Sequence, residues 1–299
     1  MKKNLKGDNR SVFCFATLFI LLLLTAATLV LLGWGLLKSL QNDVSATLNA
    51  ANPLSMPKLT EMTLENYIKV FDVIKYDLPA AQGGGTIYLE TMFLNSVLYS
   101  VLAAAGATFV PCLVGYLVAT YKCWFNKVVS FLIYFNMIFH FYGAEPSKVL
   151  IMNQLGLMDS WLGIFVMKAS LFGGGYLFFW GTFRSLSREY SEAAKIDGAT
   201  NFQLMIQVAF PLVKTIIMIQ FINAFITNWN DYQTPLLYMK NNVTASYGLF
   251  LFSNANQGNL DQLVYKLAGF MLVLLPTFAI FMVMKDYLLG NMTEGGVKE

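Results

Sequence analysis

Long stretches without one charged side chain dominate the chain. No charge falls between Arg10 and Lys38, between Glu90 and Lys122, or between Lys127 and Glu145. A helix needs roughly 20 apolar residues to cross about 30 Å of hydrocarbon. In lipid every backbone polar group must bond within its own segment, so an unbroken apolar run of that length is a helix. The pattern predicts spans over Val12–Leu37, Met92–Ala119 and Val128–Phe141. A fourth is expected at Trp161–Phe183, carrying Lys168 and the Gly173-Gly174-Gly175 triplet, a fifth at Phe210–Trp229 and a sixth at Leu263–Leu288. Lys240 to Asp261 is also almost free of charge, but its many Asn and Ser residues predict a loop. The expected class is an all-α integral membrane protein with about six transmembrane helices.

Composition agrees. The 299 residues are 57% hydrophobic and 12% charged, about half the charge of an ordinary soluble protein. A net charge of +3 is too slight and too dispersed for a nucleic-acid partner. Cys14, Cys112 and Cys123 have no disulfide or metal-ligand spacing, and the lone His140 speaks against a histidine metal site or catalytic dyad. The basic start (Lys2, Lys3, Lys6, Arg10) precedes an apolar run longer than a signal-peptide core, so residues 12–37 are expected to stay as an uncleaved first helix. Lys and Arg concentrate in the short loops on one side: Lys122, Lys127, Arg184, Arg188 and Lys195 lie with the N-terminus and with Lys285 and Lys298. That bias predicts both termini in the cytoplasm. The layout is then a cytoplasmic N-terminus (1–11), an extracytoplasmic loop (38–91), a five-helix core (92–290) and a cytoplasmic tail (291–299).

The cytoplasmic stretch at about 184–208 is the most informative. Glu189 to Lys195 is helix-compatible, Asp197-Gly198 signals a turn because glycine tolerates positive φ, and Asn201–Val208 reads as a second helix broken at Pro211. Paired alanines, Ala193 and Ala194, offer a flat face for another protein.

These residues carry a resemblance. Glu192-Ala193-Ala194, three residues, Gly198, nine residues, then Val208-Ala209-Phe210-Pro211 resembles the Glu-Ala-Ala signature of permease subunits of ATP-binding-cassette importers, with Val208 and Phe210 replacing Ile and Leu. Glu65-Asn66-Tyr67, Asn95-Ser96, Trp229-Asn230-Asp231, Pro235-Leu236 and Gly295-Gly296-Val297-Lys298 follow in the order found in the carbohydrate branch that contains the maltose permease. A proline usual in helix four is absent near Lys168, a second expected after Pro211 is missing, and helix three ends in the unusual run Phe139 to Glu145. The resemblance implies a MetI-like fold and a non-catalytic pathway subunit in a bacterial cytoplasmic membrane. It further implies a second homologous permease, two cytoplasmic ATPases and an extracytoplasmic solute-binding protein as partners. ATP and Mg would sit on the ATPase, with no cofactor on this chain, which has no phosphate-cradling Gly-x-x-x-x-Gly-Lys. Glu192 would contact the ATPase, Ala193, Ala194 and Gly198 would set the fit, and Asp197 would help cap the turn.

Candidates for the solute path are fewer. Lys168 either lines it, bonding sugar hydroxyls or an acidic sugar, or snorkels to the interface. Trp229, Asn230 and Tyr232 combine aromatic faces with an amide, as sugar sites do, or form an interfacial aromatic belt. His140 is a packed or cavity histidine, or else a ligand. The glycine triplet either loosens helix four or permits close packing. A self-sufficient secondary transporter of a small polar solute is the alternative function, though no carboxylate lies deep in a predicted helix and no internal repeat is evident. An intramembrane enzyme lacks its motifs.

Overall fold

A computed structural model describes residues 5–48, 55–80, 83–139, 143, 145–169, 174–255 and 262–294. The chain forms two compact units, Met1–Lys75 with Leu251–Leu275, and Tyr76–Phe250 with Pro276–Glu299.

In the first unit, α1 (Leu5–Ser39) is followed by α2 (Asp43–Leu48), a 3-10 turn at Leu59–Glu61 and α3 (Glu65–Val73). The apolar window of α1 is wholly unburied, as a lipid-facing helix should be, since lipid is its solvent. Its end is held by Asn66, whose buried amide donates to Ser39 O and Gln41 O, both at 2.8 Å. The Ser39 hydroxyl meets Tyr67 Oη at 2.6 Å. Two residues of Glu65-Asn66-Tyr67 thus clasp the end of the first helix.

The second unit begins with Tyr76 and Asp77 of strand β1 (Lys75–Asp77), paired with β2 (Thr86–Tyr88). Then come α4 (Leu89–Thr120), α5 (Trp124–Ile138), α6 (Glu145–Gln154), α7 (Trp161–Lys168) and α8 (Gly174–Ser185). After these follow α9 (Arg188–Ile196), α10 (Asn201–Leu212), α11 (Lys214–Trp229) and α12 (Gln233–Tyr238), then α13 (Ala245–Ala255) and α14 (Leu263–Glu294), whose residues within Leu251–Leu275 belong to the first unit. The long helix α4 is central, packing on α7, α8 and α11. Glycine makes the closest approaches possible. A Cβ on Gly106 would lie 2.7 Å from Phe165 O on α7, and one on Gly115 would lie 2.8 Å from Phe179 Cβ on α8. Small residues at such crossings let backbones meet where no hydrophobic drive acts between helices.

Several boundaries depart from the apolar pattern. Among the described residues, α1, α4 and α14 are long and apolar enough to cross a membrane, and α10 with α11 forms a fourth candidate bent by 74°. The fourth run is divided into α7 and α8 on either side of residues 170–173, which lie outside the described residues. The fifth does not start at Pro211. Leu204–Ala209 is π-helical, and the Phe210 N–H reaches back five residues to Met205 O. With that shifted bonding the helix runs on through Pro211 and breaks at Val213, whose N–H bonds Phe210 O at 3.2 Å. The presumed loop before the last helix contains α13. Asn241, Asn242 and Thr244 precede the helix, where the Gly248 N–H bonds Thr244 O at 2.7 Å, while its middle is apolar.

Candidate functional site

The elbow between α8 and α10 is built by local capping chemistry. Ser187 Oγ accepts from the Glu189 N–H at 3.3 Å and starts α9. At the other end Gly198 has φ +83°, its N–H bonds Lys195 O at 3.1 Å, and the Ala199 N–H bonds Ala194 O at 2.9 Å. This is the glycine-terminated helix end in which two orphan carbonyls are satisfied by residues past the cap. The spacing from Ala194 to Gly198 is therefore a bonding requirement. Asp197 closes the helix through its backbone N–H, bonded to Ala193 O at 3.0 Å. The side-chain cap belongs to Thr200, which exchanges bonds with Gln203 (Gln203 N to Thr200 Oγ1 at 3.3 Å, Thr200 N to Gln203 Oε1 at 2.8 Å) and begins α10. Two capped helices and a four-residue turn leave the elbow little freedom.

The two alanines do not share a face. Ala194 packs inward on a core of Tyr116, Phe179, Phe183, Leu204 and Met205, whereas Ala193 and Glu192 face outward. No residue of α9 is buried. Beside Glu192 the outward surface carries large apolar side chains: Ile196 is 86% exposed, Phe202 66% and Tyr190 54%. Apolar side chains on a segment this polar are left uncovered by the chain itself.

Lys168 sits in a second cluster. Its ammonium donates to Asp231 Oδ2 at 3.0 Å and to Thr234 Oγ1 at 3.2 Å. The same carboxylate oxygen accepts from Tyr99 Oη on α4 at 3.0 Å and Thr234 Oγ1 at 2.5 Å, while Oδ1 takes the Gln233 and Thr234 N–H groups. Asp231 is thus the hub that ties α4, α7 and the start of α12 together. Lys168 is not a bare cation, because its charge is matched by Asp231. The pairing was legible only as a pattern: Asp231 is the sole carboxylate between Asp197 and Asp261, as Lys168 is the sole cation in its apolar run.

The aromatic candidates divide. Trp229 is 2% exposed and stacks on Phe225 at 5.8 Å, so it packs rather than lines a path. Asn230 is exposed but spends an amide N–H on Ile226 O at 2.9 Å. Tyr232 is half-buried and stacks on Phe250 at 4.4 Å. His140 lies outside the described residues. Asn95 and Ser96 hold the approach to α13: Asn95 Nδ2 donates to Val243 O at 3.0 Å, and Ser96 Oγ accepts from the Ala245 N–H at 2.7 Å. At the far end of α12, Tyr238 Oη donates to Glu145 Oε2 at 3.1 Å. The hydrogen bond from Lys148 holds the Glu145 carboxyl below the usual carboxylate range. Burial, then the hydrogen bond to Glu145, pushes the Tyr238 hydroxyl up to about 12. Among the described residues no three His, Cys, Asp or Glu side chains are placed to hold a metal ion.

Residues 109–293 match a family described as the binding-protein-dependent transport system inner membrane component. The maltodextrin transport system permease protein of Streptococcus pneumoniae is 30% identical over 220 residues, 71% of this chain and 76% of that protein. The arabinooligosaccharides transport system permease protein of Bacillus subtilis is 24% identical over 245 residues, 79% of each chain. In fold, the chain resembles a bacterial ABC transporter involved in the import of the acidic polysaccharide alginate, with a TM-score of 0.71 at 20% identity, covering 93% of this chain and 97% of that one.

Proposed function

The chain belongs to the family of inner membrane components of binding-protein-dependent transport systems, and from that premise we propose that it forms part of the solute path of an ATP-driven carbohydrate importer. As a multi-pass membrane subunit it does no covalent chemistry. ATP and Mg are held by a cytoplasmic ATPase partner, present twice, and a second homologous permease completes the path. An extracytoplasmic binding protein delivers the sugar. Both termini face the cytoplasm, on the same side as the elbow at 184–208.

The observation that carries this reading is the elbow's outward face: Glu192, Ala193 and the 86%-exposed Ile196 on a helix with no buried residue, held by caps at both ends. A rigid handle with uncovered apolar surface transmits force when a partner grips it. Closure of the ATPases around ATP pushes on α9. Ala194 passes the displacement to the core of Tyr116, Phe183 and Leu204, and hence to α4 and α8. The path then opens alternately to the two sides. Two discrete packings of such a core are the means by which a local push becomes a global change.

The test is uptake and ATP hydrolysis by the reconstituted complex. Glu192→Ala removes the charged contact. Gly198→Val forces a β-branched residue to φ +83°, at about 1–3 kcal/mol of local strain, with nothing within 4 Å of the new Cβ to disturb the core. Both variants should hydrolyse ATP without importing sugar while inserting normally. Import at the parent rate by both would remove the docking role.

A further inference from the structure

We propose that this chain carries a binding site for an anionic phospholipid, its phosphate-bearing headgroup seated in a cavity between the ends of α4 and α8 and the inner side of α9. The cavity has a volume of about 740 Å³ and is lined by Lys122, Arg184, Arg188 and Lys195, with Glu192 the only carboxylate. None of the four cations makes an ion pair among the described residues. Arg184 lies over the Trp180 ring, 5.0 Å from its centroid, which orients the guanidinium without neutralising it. At the cavity wall Tyr116 is 3% exposed and packs edge-on against Tyr121 and Phe183. Four cations against one carboxylate in the cavity wall call for an anionic ligand.

The neighbouring surface decides between a free phosphate and a lipid. A second hollow of about 730 Å³ shares Tyr121 and Lys122 with the first and continues along α5 past Trp124, Lys127, Phe131 and Tyr134. Trp124 is 76% exposed and Phe131 64%. An apolar groove leading out of a basic pocket fits a molecule with an anionic head and hydrocarbon tails; basic pockets between transmembrane helices bind such heads. The cavity shares Glu192 and Tyr190 with the face of α9 offered to the ATPase, but lipid binding is read on the chain alone and stands whether or not that face meets an ATPase.

The test is native mass spectrometry of the full chain in non-ionic detergent, titrated with phosphatidylglycerol, with phosphatidylcholine of the same acyl chains, and with inorganic phosphate. Phosphatidylglycerol should bind at least tenfold more tightly than phosphatidylcholine, and inorganic phosphate should not displace it at equal concentration. Arg188→Gln with Lys195→Gln should weaken phosphatidylglycerol binding by roughly fivefold per cation removed and leave phosphatidylcholine binding unchanged. If that double variant does not fold, Lys122→Gln takes its place, with a loss of roughly fivefold expected for its one cation. Equal binding of the two lipids, displacement by phosphate, or undiminished affinity in the variants would overturn the proposal. In the reconstituted complex, a chain that retains ATP-coupled uptake but binds the two lipids alike would sink this inference alone.

Discussion

The Lys168–Asp231 pair should be unequal in its two halves. Replacing Lys168 with Met keeps most of the side-chain volume and removes one of five donors to Asp231, which retains Tyr99, Thr234 Oγ1 and two backbone N–H groups. The expected cost is about 1–2 kcal/mol, the lower part of the range for a hydrogen bond to a charged group. Asp231→Leu strands the ammonium with Thr234 Oγ1 as its remaining acceptor and strips the start of α12 of its cap. Removing one partner of a buried pair costs about 3–5 kcal/mol. The side chains are 24% and 18% exposed, so water reaches them, and the low end, about 3 kcal/mol, applies. The double variant Lys168→Met/Asp231→Leu should then be more stable than Asp231→Leu alone, by about 1–2 kcal/mol, because no charge is left unmatched. Unfolding in mixed detergent micelles of the four chains of the cycle gives these differences. The reasoning fails if Lys168→Met costs as much as Asp231→Leu, or if the double variant is no more stable than Asp231→Leu.

A crowded glycine on α4 and an open one on α1 predict opposite signs for two similar substitutions. Gly106→Ala should lower stability by about 1–3 kcal/mol, since its Cβ meets Phe165 O at 2.7 Å and Ala169 N at 3.0 Å. Gly33→Ala, with nothing within 4 Å, should be neutral or stabilising by up to about 1 kcal/mol; thermal unfolding compares the two. Orientation is testable through the cysteines, Cys123 being exposed and Cys112 buried. In a Cys14→Ser chain, a membrane-impermeant maleimide should label Cys123 in inverted vesicles and not in intact cells. The reverse result would invert the topology.

The membrane class and the elbow were legible in the sequence because both rest on local rules. Charge-free runs mark helices whatever they pack against, and an Ala-x-x-x-Gly spacing marks a helix end because only that register satisfies Ala194 O and Lys195 O together. What was illegible depended on partners far along the chain. The inward turn of Ala194 follows from Leu204 and Phe183, and the pairing of Lys168 with Asp231 joins residues 63 positions apart. The same holds for Trp229, where an aromatic beside an amide suits a sugar site and a packed core equally, and Phe225 decides between them. Pro211 misled for a local reason: π-type bonding ahead of it shifts the break to Val213. Asn and Ser before the last helix suggested a loop, yet Thr244 bonds the first turn of an apolar stretch that is helical.

The account turns on whether α9 is the handle for an ATP-hydrolysing partner. Ile196 is 86% exposed, so Ile196→Asp removes apolar contact surface without opening the core. Purified from its native host in mild detergent beside the parent chain, the Ile196→Asp chain should be recovered in equal amount but without the ATP-hydrolysing subunit that accompanies the parent. Full retention of that subunit by a chain carrying both Ile196→Asp and Glu192→Ala would contradict the account.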